Sequence, residues 1–495
     1  MRGILFILLF ILFFLFSVHT LTDINQDIGL HFVLGKKILK EGLVPQTNLF
    51  SYTAPDFPTP NHHWLGEVFL YLGSLFYGLK GLIVFKAFML SGAFIFAMLA
   101  FTKKDAGILG FLAGLISISI LIDRTYVRPE MFSFLFLGWY LFVLYRQKSE
   151  KLLFTLPFIQ LLWVNTHIYF FIGPVIYAIF LIQHYINAKP VTLKNPITLI
   201  GLAIVLVNFV NPAGWVGALY PLFIFNNYAI PILENISPFS LGAYNYPPLP
   251  LWALAAGISI SVVGFIVNRK NLKNNIFGLG ILAVGTALAL LMVRNIPIFA
   301  LIMLPVNIKN FYEAGFRPRN KFAVFGAAIL LIILIPYVLN SNIYKVSGYN
   351  RTFGLNTPAY GEKAIEFIKD NNLHGPIFNN INAGSFLIWK LPGERVFIDT
   401  RPEAYPSDFV KNEYIAMQKD AGVWQEYSEK YSINLIFYAW RETKYTSWAD
   451  MFLKNISNNK NWALVYLDDN IVIFLKNTPE NSTVIGKYLI KANYK

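Results

Sequence analysis

Two kinds of periodicity divide the chain. Up to about residue 340, apolar positions fall in long, nearly unbroken runs near 3–21, 82–101, 106–122, 129–145, 152–165, 168–186, 196–211, 249–268, 275–293, 295–310 and 322–339, about eleven in all. A helix that is apolar all round lies in a core or in lipid, and these runs predict membrane helices, several shorter than the roughly 20 residues a span prefers. From Ser341 onward the pattern changes to mixed polar sequence with short alternating segments. There Thr357-Pro358 followed by YGEKAIEFIKDNN combines a cap, a first-turn proline and a 3.6 period, which predicts a helix. GPIFNN, ERVFID, NLIFYAW, WALVYL and NIVIFLK predict strands, with helices between the earlier ones and a hairpin turning at Asp468-Asp469-Asn470. The expected architecture is an α-helical polytopic membrane domain over 1–340, with about eleven transmembrane helices, and a soluble α/β domain over 341–495.

The longest polar stretch of the first three hundred residues is 22–67, between two very apolar blocks. It holds Asp23, Asp27, His31, His62, His63 and Glu67. On a helix Asp23, Asp27 and His31 fall at i, i+4 and i+8 and share one face. The same stretch also reads as a solvated interfacial loop whose acids keep it out of lipid. The apolar run 64–80 that follows is read as re-entrant or interfacial, because a full span there would reverse the parity of every later one.

Composition agrees with a membrane chain: 495 residues, 56% hydrophobic and 14% charged, against about a quarter charged in soluble domains. The formal charge of +14 does not indicate nucleic acid, since the basic residues sit singly or in short clusters at the ends of apolar runs. With Met1 cytoplasmic, alternation places Lys103 and Lys104, Arg146, Lys148 and Lys151, Lys189 and Lys194, Arg269, Lys270 and Lys273, and Lys309, Arg317, Arg319 and Lys321 inside. The first run is too long for a signal-peptide core and lacks a small-x-small cleavage site, so it is expected to remain as a helix. No cysteine is present, which excludes disulfides and thiolate metal sites. No strand is followed by a glycine-rich phosphate loop, so nucleotide binding is not indicated.

The same alternation puts the loop 22–67, Asp123 to Glu130, Asn165 to His167, the stretch 211–248, Arg294 and everything after Asn340 on the outer face. Arg124 and Arg128 in DRTYVRPE and Arg294 in RNIP stand at span ends, where a guanidinium costs free energy unless it meets an anion or a carboxylate. A guanidinium also suits bidentate phosphate binding, and each arginine alone reads equally as that or as a snorkelling or structurally paired side chain, such as Arg128 with Asp123 or Glu130. Asn165 and His167 in WVNTH mark the outer end of a helix, and NFVNPAGW reads as a helix terminator with a Trp interface anchor.

Taken in order, DIGLH, GLVPQTNLFSYTAP, HHWLGEV, RPE, WVNTH, NPAGW and RNIPIFA resemble the bacterial polytopic GT-C glycosyltransferases, the superfamily of lipopolysaccharide core transferases and protein mannosyltransferases. The resemblance covers most of 1–310, and GSFLIWKLPGERVFIDTRPEAY (384–405) is similar to the C-terminal outer domain of one branch. It implies a GT-C fold and transfer of a sugar from a polyprenyl-phosphate-linked donor to a cell-envelope acceptor, with membrane lipid as a partner. An acid early in the first outer loop serves such enzymes as base, which maps to Asp27, with Asp23 as runner-up. Where that branch tends to carry acids this chain has Asn48 and His63, leaving Glu67 as the nearest substitute and the need for a divalent cation open. His31, His63, Arg128, Asn165, His167 and Arg294 are then the candidate substrate-binding residues.

Two rivals remain. A transporter of lipid-linked sugar would carry ionisable residues at mid-membrane and repeated halves, and a non-catalytic envelope scaffold would keep the fold without the acids. The charge pattern makes one direct prediction: a reporter active only outside the cytoplasmic membrane, fused after Lys495, should be active. Activity of a cytoplasmic reporter alone at that position would overturn the parity.

Overall fold

The computed structural model describes residues 2–21, 27–103, 105–146, 150–187, 195–224, 228–230, 232–243, 246–317, 321–441 and 447–491. The chain forms two compact units. The first is Met1–Leu21, Leu72–Pro221 and Pro231–Thr357, and the second is Thr22–Tyr71, Leu222–Ile230 and Pro358–Lys495. The units therefore part after Thr357 rather than at residue 340, and the polar stretch 22–67 belongs with the C-terminal segment.

The first unit is helical. Among the described residues, six helices are long and apolar enough to cross a membrane: Gly78–Ala100, Gly107–Arg124, Ile168–Asn187, Pro248–Val267, Arg269–Leu291 and Lys321–Leu339. Pro196–Phe209 and Gly214–Leu222 form a pair bent by 113° around Asn211-Pro212, the break that NFVNPAGW predicts. The other apolar runs are helical too, as Arg2–Ser17, Glu130–Arg146, Thr155–Thr166 and Ile296–Glu313. Ile296–Glu313 is buried along most of its length, against Gly107–Leu121, Ile276–Leu291 and Pro248–Val267. The run 64–80 is not one helix. Trp64–Ser74 has 11 residues and ends where Tyr77 takes φ 122° before Gly78, so it is too short to span.

The second unit is built on a four-stranded sheet in the order β1 (Ile377–Asn379), β2 (Leu435–Ala439), β4 (Ile471–Lys476), β3 (Trp462–Leu467). β1 runs parallel to β2 and the other pairs are antiparallel, with Leu435 opposite Leu475 and Ala439 opposite Ile471. Asp468 closes the hairpin as predicted, its Oδ1 accepting from the amides of Asn470 (2.8 Å) and Ile471 (2.7 Å). Two expectations fail. ERVFID makes only isolated bridges at Val396, because its backbone is bonded elsewhere: the Val396 amide to the Phe50 carbonyl, and the Phe397 amide to Asn379 Oδ1. The helix expected from Thr357-Pro358 begins at Glu362, whose own carboxylate takes the amides of Tyr360 and Gly361 (2.7 and 3.2 Å).

The stretch 46–59 is stitched into this α/β core. Ser51 and Thr53 hydroxyls donate to the Phe397 carbonyl, Tyr52 to that of Ile377, and Asn48 to that of Ala404. Ala54 enters the cluster formed by Phe378, Phe397, Trp424, Phe452 and Phe474. The helix Ile28–Glu41 presses equally closely on its neighbours. A Cβ at Gly29 would stand 2.6 Å from the Ser385 carbonyl oxygen, and one at Gly35 would collide with the Glu67 carbonyl. Only glycine permits both approaches. Gly35→Ala should therefore destabilise the second unit by about 1–3 kcal/mol, read as a fall in its melting temperature or earlier proteolysis. A stability equal to wild type would show that this helix is not wedged.

Candidate functional site

In the first unit, buried charge collects where three chain segments meet. Arg124 and Arg128 come from the segment between Gly107–Leu121 and Glu130–Arg146, Arg294 from the turn before Ile296–Glu313, and Glu234 from the loop before Pro248–Val267. Arg124 holds Glu130 with two nitrogens (Nε 3.1 Å, Nη2 2.6 Å) and Glu234 with Nη1 (2.7 Å). Arg128 Nη1 donates to the same Glu234 oxygen at 2.8 Å, and Arg294 Nη1 lies 3.8 Å from its other oxygen. Among the described residues, three guanidiniums thus face the two carboxylates Glu130 and Glu234. Burial works to raise the Glu234 carboxyl, but Arg128, Arg124 and Arg294 outweigh it and hold it well below the usual carboxylate range.

The surroundings keep the cluster in place. Arg294 Nε donates to the Tyr169 hydroxyl (3.0 Å) and Nη1 to Asn235 (3.1 Å). Tyr169 packs edge-on against His167, whose Nδ1 contacts Ser133 Oγ at 2.9 Å. Asn165 donates to the carbonyls of Leu161 and Val210 and ties its helix end to the end of Pro196–Phe209. Among the sequence candidates, then, Arg128 and Arg294 both approach Glu234, while His167 packs on Tyr169 and Asn165 bonds backbone carbonyls. The pairs weighed for Arg128 do not form: Glu130 goes to Arg124, and Asp123 accepts from the hydroxyls of Tyr246 and Tyr349.

A second group lies within the second unit. Asp27 caps the helix Ile28–Glu41 rather than sitting inside it, with its carbonyl accepting from the His31 amide (3.0 Å), and Asp23 lies outside the described residues. Glu67 is buried, with one oxygen 3.2 Å from His31 Nδ1 and the other accepting from Asn61 at 2.7 Å. The His63 ring stands edge-on to His31, their centroids 6.0 Å apart. Asp399 is fully buried and accepts from Arg401 Nε and Nη2 and from the Tyr405 hydroxyl, while Arg401 also donates to Asn48 Oδ1. Burial pushes the nearby Glu403 carboxyl up to about 6. Asp399 and Asp27 add like charge, against a backbone hydrogen bond and Arg401, which pull it down. A carboxyl near 6 beside an acid is suited to moving protons. Among the described residues no three His, Asp or Glu side chains gather to hold a metal, and both Glu67 oxygens are engaged.

No protein-family model matches the chain, and no curated protein matches it. Among solved structures, the Archaeoglobus fulgidus oligosaccharyltransferase, in complex with zinc and sulfate, is similar over 91% of this chain and 69% of its own, at 12% identity and a TM-score of 0.49.

Sequence reasoning missed Glu234, Asp399, Arg401, Glu403 and Lys86. Glu234 had a signal, being the only acidic residue between Glu150 and Glu313. Lys86 lies fully buried inside Gly78–Ala100, its Nζ 3.2 Å from His19 Nε2.

The Glu403 carboxyl sets a pH dependence. Its folded value near 6 lies above the ordinary value of 4.5, so its favourable contribution is complete below about pH 4.5 and lost as pH rises through about 6. Glu403→Gln should flatten the melting temperature of the second unit across that window. An unchanged slope would show that Glu403 does not titrate there.

Proposed function

We propose that the chain is a membrane glycosyltransferase that moves a sugar from a polyprenyl-phosphate-linked donor to a cell-envelope acceptor on the outer face of the cytoplasmic membrane. The observation that carries this reading is the convergence of Arg124, Arg128 and Arg294 on the carboxylate Glu234. A lipid-linked phosphate offers guanidiniums the same paired oxygens and more negative charge. Arg124, committed to Glu130 by two bonds, holds the frame, while Arg128 and Arg294 receive the anion.

In the proposed step the acceptor hydroxyl gives its proton to a carboxylate base and its oxygen bonds to the anomeric carbon. The bond from that carbon to the phosphate oxygen breaks, and the electron pair leaves on the phosphate, whose charge Arg128 and Arg294 stabilise. Direct displacement of this kind inverts the anomeric centre. Glu403, raised toward 6, is the carboxyl that would relay or share the proton, and His31 and His63 line the acceptor side. Glu67, whose oxygens hold His31 and Asn61, is the nearest substitute for Asp27. That engagement also favours a second reading, a scaffold of the same fold in which this group is structural.

Initial rates of transfer from a radiolabelled polyprenyl-phosphate sugar in proteoliposomes separate these readings. Asp27→Asn should lower kcat by about 10²–10⁴. Arg128→Ala and Arg294→Ala should each raise KM for the donor roughly tenfold to a hundredfold, as loss of a charged hydrogen bond does. Full activity in Asp27→Asn with loss in Glu403→Gln would move the base to Glu403 and leave the transferase reading standing. If all of these variants keep wild-type activity or phenotype, the scaffold reading replaces it.

A further inference from the structure

Among the described residues of the first unit, one buried amide is left unsatisfied at both its nitrogen and its oxygen. Asn307, on Ile296–Glu313, is 3% exposed, and neither its amide nitrogen nor its carbonyl oxygen has a hydrogen-bond partner. Its neighbour Asn310 does not help, since that carbonyl accepts from Asn268 and Asn275. A buried amide persists without partners only at a cost in free energy, so a group outside the chain is the natural complement.

Asn307 borders a cavity of about 220 Å³ lined by Leu109, Ala113 and Ile116 of Gly107–Leu121, by Ile260 of Pro248–Val267, and by Phe311. It is the sole polar side chain on that wall among the described residues. A buried water keeps about three hydrogen bonds, and this wall offers an amide alone. A charged group would be disfavoured by the apolar lining. An uncharged hydroxyl on an apolar chain fits both features, because it donates to Oδ1 and accepts from Nδ2 while the chain covers the hydrocarbon wall. Leu112 and Phe316, 47% and 54% exposed, border the chamber and leave its lining open toward lipid.

We propose that this chamber binds the hydroxyl end of a long-chain alcohol drawn from the membrane, and that Asn307 is the residue that distinguishes it from a plain hydrocarbon. The test uses the full chain in nanodiscs and tritiated 1-dodecanol, with empty nanodiscs subtracted. Wild type should show saturable binding that unlabelled 1-dodecanol displaces and n-dodecane does not. Asn307→Leu should weaken it roughly threefold to tenfold while melting no lower than wild type, since it removes an unpaired polar group. Ala113→Leu, which fills the chamber from the opposite wall, should abolish it. Equal binding by Asn307→Leu, equal competition by n-dodecane, or no saturable binding above empty nanodiscs would overturn the proposal.

Discussion

Guanidiniums do not gather in a low-dielectric corner unless an anion holds them, because their mutual repulsion is hardly screened there. In the first unit that anion is Glu234, and the arrangement around it follows from this requirement. Arg124 is shared between Glu234 and Glu130, Arg128 approaches the same oxygen, and Arg294 is steadied by Tyr169 and Asn235. Even the distant props make sense in these terms. His167 packs on Tyr169, and Ser133 bridges His167 and the Trp163 indole, so two helix ends are held where the Arg294 side chain needs them.

Charge in this unit is placed with economy elsewhere as well. Asp123 is not spent on an arginine but is satisfied by two tyrosine hydroxyls, which burial and Asp123 itself push up so that they remain donors. Lys86 is accommodated inside Gly78–Ala100 by His19, whose same ring nitrogen also reaches Thr125. Each is an ionisable group at membrane-type burial with a named partner, as such groups require.

The second unit solves a different problem. A four-stranded sheet with one short parallel edge strand has too little surface to close its own core, and segments distant in the chain complete it. The stretch 46–59 supplies hydroxyl donors to Phe397 and an apolar patch around Ala54, and it occupies the backbone that ERVFID would have offered to the sheet. That stretch therefore does architectural work, and Asn48, reached by Arg401, is part of it.

Much of this was legible along the chain. Apolar run length marked the helices, the Asp468-Asp469-Asn470 turn marked the closing hairpin, and the exposed cost of arginine at span ends singled out Arg128 and Arg294, because these signals are local and depend on a few neighbouring residues. What the sequence could not settle was pairing over hundreds of positions: that 46–59 belongs with 396–404, that Glu130 would take Arg124 and not Arg128, or that Glu234 would draw three arginines together. Nor could it mark Glu403, whose raised carboxyl depends on burial and on Asp399 and Asp27. A residue's local pattern reports its propensity and its exposure, while its partner is selected by which surfaces the folded chain buries together, and that choice exists only in the tertiary structure.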